Sequence, residues 1–402
     1  MLRLIKPCLT GIALLTLILN ASSANAKPTP PEPQGIHASG IVMHPGANLA
    51  VAYDSLSNQN INDGRVDIGL SFKSRLEDET TKSWDTDALL SWRQYWGIGN
   101  ADANGGVNVK LATHADLFKQ SIFRLTPSFS YQYLDQPEDD NLRQDFQNHT
   151  VRLGVGATIQ PGQGAVFSQR FSYNMGGRIY PDHADISYFT HRIESVTRWN
   201  FLPNSSMTIH VNFTPSHFIE NTRHSSQGAD LVNQSKNATG MPVRVKYSLQ
   251  GLLLPRMSYV LGLGYGYAYY SKENNEHLFI MNAKLGYSFR DNIELYAEYR
   301  KDFDTALYGD YYKFHRASIA FDAVWFEHLQ TKADIGFGAF DFSSNAGLIR
   351  TDKLLSVKAH IAYYIIPSVK LALEYNFGYN TSDIKEACYT KHAAIFQFAY
   401  EY

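Results

Sequence analysis

A regular alternation of apolar and polar residues limits what this chain can fold into. In one window Val66, Ile68, Leu70 and Phe72 alternate with Arg65, Asp67, Ser71 and Lys73, and residues 369–377 repeat the pattern. Successive side chains of a β-strand point to opposite faces, so each window predicts a strand with one apolar and one polar face. We count about 18 such windows after residue 26, and no apolar run there is long enough for a membrane-spanning helix.

The predicted strands have the spacing of a transmembrane barrel. The windows begin near residues 47, 64, 84, 105, 120, 146, 164, 186, 206, 240, 256, 277, 293, 312, 330, 352, 368 and 389. They lie about 21 residues apart, which leaves room for a membrane-crossing strand of about 9–11 residues and a connection. Connections after even-numbered strands are mostly short and those after odd-numbered strands mostly long, as in barrels with short periplasmic turns. The segment 74–83 breaks this rule.

A soluble β-sandwich also alternates with a period of two, but three features favour the barrel. Sandwich strands average about five or six residues, whereas these windows run to about ten. Aromatic residues lie near strand ends on the apolar face, as in interfacial girdles, and charged residues occupy the middle of the opposite face. Closing the sheet removes its edges, which lipid requires. The sequence therefore predicts an all-β fold, a transmembrane antiparallel β-barrel of about 18 strands within a range of about 16–20.

The chain divides into three predicted segments. Residues 1–26 have the layout of a cleaved secretory signal peptide, with Arg3 and Lys6 before an apolar stretch. Residues 27–46, which open with four prolines in seven positions, are predicted to be a Pro-rich tether, and residues 47–402 form the barrel. Cleavage leaves Cys388 without a partner for an internal disulfide. Because the sequence contains 36 Lys and Arg and 38 Asp and Glu, it has no basic excess. The composition therefore gives no basis for a nucleic-acid partner.

The last residues carry a resemblance to a known class. Ala394–Tyr402 alternates apolar residues and finishes on an aromatic residue. This segment resembles the C-terminal strand signal of bacterial outer-membrane proteins, whose usual last residue is phenylalanine. The opening strand, Asn48–Ser55, is similar to the first strand of porin-type barrels, some of which occur with exopolysaccharide-export machinery. The resemblance implies a barrel surrounded by lipid in the bacterial outer membrane, and it carries over no functional residues.

The positions opposite the apolar face predict a basic lumen. About 18 bases and about 11 acids fall on this face, and such an excess inside a low-dielectric wall favours anions. Six of the bases form a predicted pore-lining stripe on neighbouring strands: Arg124, Arg152, Arg170, Arg192, Arg198 and Arg244. Guanidinium groups bind carboxylates and phosphates in a bidentate way. The alternative is that these bases pair with lumen acids and merely fill the interior.

The favoured function is porin-like passage of small hydrophilic, anionic solutes, with acidic saccharides as one class. An alternative is a non-conducting barrel that anchors or assembles a partner, for example export machinery, and a third is a barrel enzyme. We predict no catalytic residue, cofactor or metal, because no nucleophile–base spacing and no metal-ligand set stands out. Residues 170–199 are the least regular, since Gln169 and His191 would face lipid. Either a bulge shifts the register there or that side contacts a partner protein.

Overall fold

The structure is a computed structural model, and it describes the chain in eleven stretches. They are residues 31–56, 61–76, 82–97, 106–134, 147–161, 166–181, 187–219, 240–270, 275–304, 312–342 and 350–402. Their strands are β1 (Ile36–Ala38), β2 (Ile41–Leu56), β3 (Ile61–Leu76), β4 (Ser83–Gly97), β5 (Gly106–Asp116), β6 (Phe123–Leu134), β7 (Asn148–Ile159), β8 (Phe167–Ile179), β9 (Tyr188–Leu202), β10 (Ser205–Phe213), β11 (Ser216–Phe218), β12 (Gly240–Leu254), β13 (Met257–Tyr270), β14 (Glu276–Arg290), β15 (Ile293–Asp304), β16 (Tyr312–Trp325), β17 (Leu329–Phe342), β18 (Arg350–Ile366), β19 (Val369–Ser382) and β20 (Tyr389–Glu401). A 3-10 turn covers Lys385–Ala387.

These strands form one closed antiparallel barrel. With β10 and β11 taken as one strand, each strand from β2 onward is hydrogen bonded to its sequence neighbours, and β2 pairs with β20 to close the sheet. The short β11 continues β10, because both pair with β9 and β12. Counting β10 and β11 as one and leaving out β1 gives 20 − 2 = 18 barrel strands. The predicted fold class and the predicted strand count are confirmed.

The alternation in the sequence becomes two faces of the wall. Large apolar side chains on the outer face are exposed, among them Leu70, Leu261, Ile319 and Phe337, which are 50–60% exposed. Exposed apolar surface that continues around a barrel is the surface expected against lipid. The alternate positions carry the polar and charged residues, and these face the enclosed lumen. No helix in the described part of the chain has the length and apolar character needed to cross a membrane.

The two ends of the barrel differ in their connections. Two-residue turns at 203–204, 255–256, 291–292 and 367–368 join strands at one end, which we call the short-turn end. Segments such as 135–147 and 219–239 join strands at the opposite, long-connection end. At the short-turn end, β3 and β4 are six residues apart in the sequence, and this is the exception that the sequence already showed. The alternation in connection length therefore gives the barrel a direction.

The first barrel strand begins earlier than the sequence boundary at residue 47. β2 starts at Ile41, and β1 folds back on it through the pair His37↔Val42. The backbone N–H of Tyr402 donates to the carbonyl of Pro45 at 3.0 Å, and the His44 ring contacts the Tyr402 carbonyl at 3.0 Å. These contacts order part of the segment that its prolines indicated as a tether. The predicted signal peptide lies outside the described residues.

The irregular segment 170–199 has regular pairing in the structure. β8 and β9 pair without a register shift from Phe167↔Trp199 to Arg178↔Tyr188, so the bulge interpretation is wrong. Gln169 does face outward, where its side chain donates to the Ser195 hydroxyl at 2.9 Å and accepts from the Thr197 hydroxyl at 2.5 Å. The outward polar groups satisfy one another, so the strand needs no slip to avoid exposing them to lipid. Contact with a partner on this side stays a prediction.

Candidate functional site

All six arginines of the predicted stripe lie on the inner face of the wall. β6, β7 and β8 supply one each, β9 supplies two, and β12 supplies the sixth: Arg124, Arg152, Arg170, Arg192, Arg198 and Arg244. Their placement follows from strand parity, because the neighbouring odd-numbered residues Leu153, Phe171 and Ile193 are exposed on the outer face. The structure thus brings five of the six onto four adjacent strands. Their surroundings differ, and the differences divide the lumen into two parts.

We call the inner faces of β6, β7, β8 and β9 the basic wall. Its described residues include six arginines, which are Arg178 and the five stripe arginines on β6–β9, and one acid, Glu194. The remaining inward positions are mostly small or neutral polar residues, such as Thr126, Ser128 and Asn174. Four adjacent strands therefore present a formal charge of 6 − 1 = +5 to the lumen.

Three arginines of the basic wall have no counter-ion on the described strands. Within the described residues, Arg124, Arg152 and Arg170 make no ion pair and no side-chain hydrogen bond. Arg124 and Arg170 both oppose Thr158, one from each side. They are two strand spacings apart, about 10 Å between backbones. A carboxylate in the lumen can therefore meet two guanidinium groups that no acid of the described residues neutralises.

Glycines lie beside two of these arginines and leave space for their side chains. A Cβ at Gly156 would lie 3.6 Å from Nε and Nη2 of Arg170, and a Cβ at Gly176 would lie 3.4 Å from Cγ of Arg152. The side chains thus rest over backbone that carries no side chain of its own. Glycine at these positions leaves the guanidinium groups room along the inner surface.

The other arginines of the basic wall are held by neighbours. Arg192 donates to Glu194 at 2.8 Å, and that carboxylate also contacts His210 and Asn212 at 3.3 and 3.0 Å. Arg198 donates to the Asn200 amide oxygen at 3.0 Å, beside a recess of about 330 Å³ near the short-turn end.

Arg178 lies near the long-connection end of the basic wall. It donates to the Thr150 hydroxyl at 3.3 Å. Just beyond β8, burial raises the pKa of the Tyr180 hydroxyl, and the charge of Arg178 offsets part of this effect. Arg178 is therefore engaged by its surroundings, unlike the three unpaired arginines.

Arg244 belongs to a different setting, centred on an acid that the sequence analysis missed. Asp302 on β15 is 2% exposed and accepts from Lys246 at 2.7 Å and from Arg244 and Arg300 at 3.3 Å. The next residue, Phe303, also turns inward, where the Arg244 guanidinium lies 4.2 Å from its ring centre. The signal was present in the sequence, since Asp302 follows Arg300 by two positions and so shares its face.

The rest of the inner wall, β10–β20 and β2–β5, pairs most of its acids with bases, and we call it the paired wall. Its contacts include Asp54–Arg65 at 3.0 Å, Asp67–Arg93 at 2.7 Å, Asp87–Lys110 at 3.1 Å, Lys73–Glu401 at 2.7 Å, Asp322–Lys332 at 3.2 Å and the Asp302 cluster. The alternative that lumen charges neutralise one another thus describes most acids of the paired wall, although Lys284, Lys358 and Lys370 on that wall make no ion pair within the described residues. It does not describe Arg124, Arg152 and Arg170. Within the described residues, no three metal-binding side chains form a cluster.

Comparisons with known proteins agree on the fold. No family model and no curated protein matches the sequence. Among solved structures, OccK7 (OpdD) of Pseudomonas aeruginosa has a TM-score of 0.55 at 10% identity, over 91% of this chain and 99% of that one. OpdK of the same organism, solved with vanillate, has a TM-score of 0.53 at 10% identity, over 90% and 99%. A BenF-like porin from Pseudomonas fluorescens Pf-5 has a TM-score of 0.52 at 10% identity, over the same shares.

These matches define the class of fold. The chain has the architecture of the porin-type barrels of the bacterial outer membrane, and the resemblance seen in its first and last strands is confirmed at that level. At 10% identity the likeness concerns the fold alone.

Proposed function

We propose that this barrel is an outer-membrane channel for small hydrophilic anions and that the basic wall is the surface that attracts them. One observation carries the proposal: Arg124, Arg152 and Arg170 face the lumen side by side without a counter-ion in the described part of the chain. The apolar outer face supports placement in a membrane, and the fold shared with outer-membrane porins supports passage of solute.

The electrostatics of the wall favour anions over cations. Fixed charges of one sign inside a low-dielectric wall raise the local concentration of oppositely charged solutes. Arginine adds geometric selection, because its planar fork matches a carboxylate or phosphate better than an ammonium group does. OpdK was solved with vanillate. We extend the proposal to organic carboxylates in general, with acidic saccharides as one candidate class.

Reversal potentials of the purified protein in planar bilayers under a KCl gradient test the proposal. The wild-type channel is expected to prefer chloride over potassium, and the triple variant R124Q/R152Q/R170Q is expected to lose most of that preference. The variant R124K/R152K/R170K is the charge control. It should keep chloride preference. Added organic carboxylates should block its current less than they block the wild-type current, because lysine lacks the bidentate fork.

A second control removes paired charges. Replacing both members of two ion pairs, with D87N/K110Q and D322N/K332Q, leaves the net charge unchanged and should leave the reversal potential unchanged. Unaltered ion preference in R124Q/R152Q/R170Q contradicts the role of the basic wall. A barrel without conductance contradicts the channel itself and favours the anchoring or assembly alternative, including a partner in export machinery.

A further inference from the structure

The outer wall carries a groove with a floor of small side chains. A depression of about 700 Å³ crosses β12–β18 on the face that meets lipid. Ala283, Ala297 and Ala317 form its floor, and Leu261, Ile319 and Phe337 stand beside them. The cross-strand pairs Leu285↔Ala297 and Ala317↔Phe337 show why the surface is uneven, because small and large side chains alternate along the rows. An apolar chain fits such a groove better than it fits a smooth wall.

A row of basic side chains lies directly above this groove. The pairs Lys301↔His315, His315↔Ala339 and Ala339↔Lys353 place all three basic residues on one cross-strand row of the outer face. The next row on the same face toward the short-turn end contains Tyr299 and Ala317, which line the groove. Adjacent strands are about 4.8 Å apart, so the three groups span about 15 Å.

The two lysines of this row have no counter-ion in the described residues. Lys301 is partly exposed, Lys353 is exposed, and neither makes an ion pair or a side-chain hydrogen bond there. Nδ1 of His315 shares a hydrogen bond of 2.8 Å with the Tyr299 hydroxyl, which leaves Nε2 for another group. The nearby acid Asp341 lies one row farther toward the long-connection end, where it accepts from Thr351 at 3.0 Å. Unpaired cations on a lipid-facing wall call for an external anion.

Tyrosine–histidine hydrogen bonds around the barrel define the level of this basic row along the barrel axis. Five outward histidines share hydrogen bonds between Nδ1 and a tyrosine hydroxyl on the preceding strand: Tyr131–His149, Tyr173–His191, Tyr265–His277, Tyr299–His315 and Tyr375–His392. Each histidine lies within the first four residues of a strand that starts at the long-connection end. Polar aromatic groups at one level are typical of the boundary between acyl chains and lipid headgroups. Lys301 and Lys353 thus stand where headgroups begin.

We propose that this groove and its basic row bind a phosphorylated lipid of the outer leaflet. One acyl chain lies over Ala283, Ala297 and Ala317, and the phosphate lies among Lys301, His315 and Lys353. An uncharged apolar partner would fill the groove but leave both lysines without an anion. A second copy of the chain, docked through the same patch about a two-fold axis, would bring like charges together. The inference depends on the barrel standing in a membrane and is independent of what passes through its lumen.

Native mass spectrometry of the detergent-purified barrel with dioleoyl phosphatidic acid tests the site. Wild-type protein is expected to retain one molecule of this lipid in preference to dioleoylglycerol, which has the same chains and no phosphate. The variant K301Q/K353Q should bind phosphatidic acid about 30-fold more weakly, since each lysine near a lipid phosphate contributes about fivefold. A317F, which fills the groove with another apolar side chain, should also weaken retention.

Matched controls separate the site from general effects of charge and surface. K119Q removes a lysine from the turn at the opposite end, and A394F enlarges an outward alanine on β20, so both should bind as the wild type does. All of these variants should keep the wild-type conductance, because none changes the lumen. Equal retention of the two lipids, or unchanged binding in K301Q/K353Q, overturns the proposal. A dimer that A317F abolishes would instead assign the groove to a second copy.

Discussion

The two sides of the lumen use the same strand geometry to different ends. On the paired wall, carboxylates such as Asp67 and Asp302 each contact two or three bases, so charge adds cross-links between strands. On the basic wall, Arg124, Arg152 and Arg170 have no such partner in the described residues, and glycines lie beside two of them. The comparison teaches that an inward arginine is not by itself a site. Where the described wall brings no acid into contact with an arginine, the charge of that arginine stays available to a solute.

The largest effect on stability is expected at the centre of the paired wall. D302A removes the carboxylate of Asp302, which is 2% exposed. The positive charges of Arg244 and Lys246 then lose their ion pairs with it. We expect the free energy of unfolding to fall by about 3–5 kcal/mol, as for other broken buried pairs. Urea unfolding in lipid vesicles measures it, with D322N as a control at a more exposed pair. An equal loss in the two variants would contradict the special position of Asp302.

A smaller loss of stability, combined with a change in selectivity, is expected at Asp67. Its carboxylate contacts Nε of Arg65 at 3.1 Å and Nε of Arg93 at 2.7 Å. D67N should lower the free energy of unfolding by about 1.5–3 kcal/mol, since charged hydrogen bonds are lost. It should also raise chloride preference, because the substitution removes one negative charge from the wall of the lumen. Reversal potentials that do not move would break the link between pairing and selectivity.

An acid added to the basic wall should move it toward the paired state. T158D places a carboxylate between Arg124 and Arg170, which oppose Thr158 from both sides. We expect the chloride-to-potassium permeability ratio to fall about two- to threefold, as for a change of one kT in potential. T158N is the neutral control of the same size. A similar change in both variants would assign the effect to shape instead of charge.

The smallest effect is expected from an exposed pair. Lys73 and Glu401 lie 2.7 Å apart, but their side chains are 50% and 32% exposed. K73Q should change the free energy of unfolding by about 0–1 kcal/mol, because water screens such pairs. The same urea titration used for D302A measures it. A loss as large as that of D302A would show that burial does not determine how much these ion pairs contribute to stability.

The sequence predicted the wall well because its period is set by backbone geometry. Alternation alone gave the face of each strand, and this is why Arg124 on β6 and Arg170 on β8 could be assigned inward. Partnership could not be read in the same way. Arg244 on β12 meets Asp302 on β15, three strands away, and that contact depends on register, tilt and side-chain reach together. The early start of β2 was missed because the four prolines in residues 27–33 indicated a tether over the whole of residues 27–46.

The seam between β2 and β20 has a consequence for assembly. With β10 and β11 taken as one strand, every other strand pair of the barrel joins strands that follow one another in sequence. Each of these pairs can therefore form as a local hairpin. Gly46 and Glu401, in contrast, meet from opposite ends of the described chain. Until β20 arrives, β2 presents unpaired amides to lipid, and each of these is costly there. We therefore expect this non-local pairing to be the slow step of assembly, and we expect partly inserted barrels to need protection of the open edge until β20 pairs with β2.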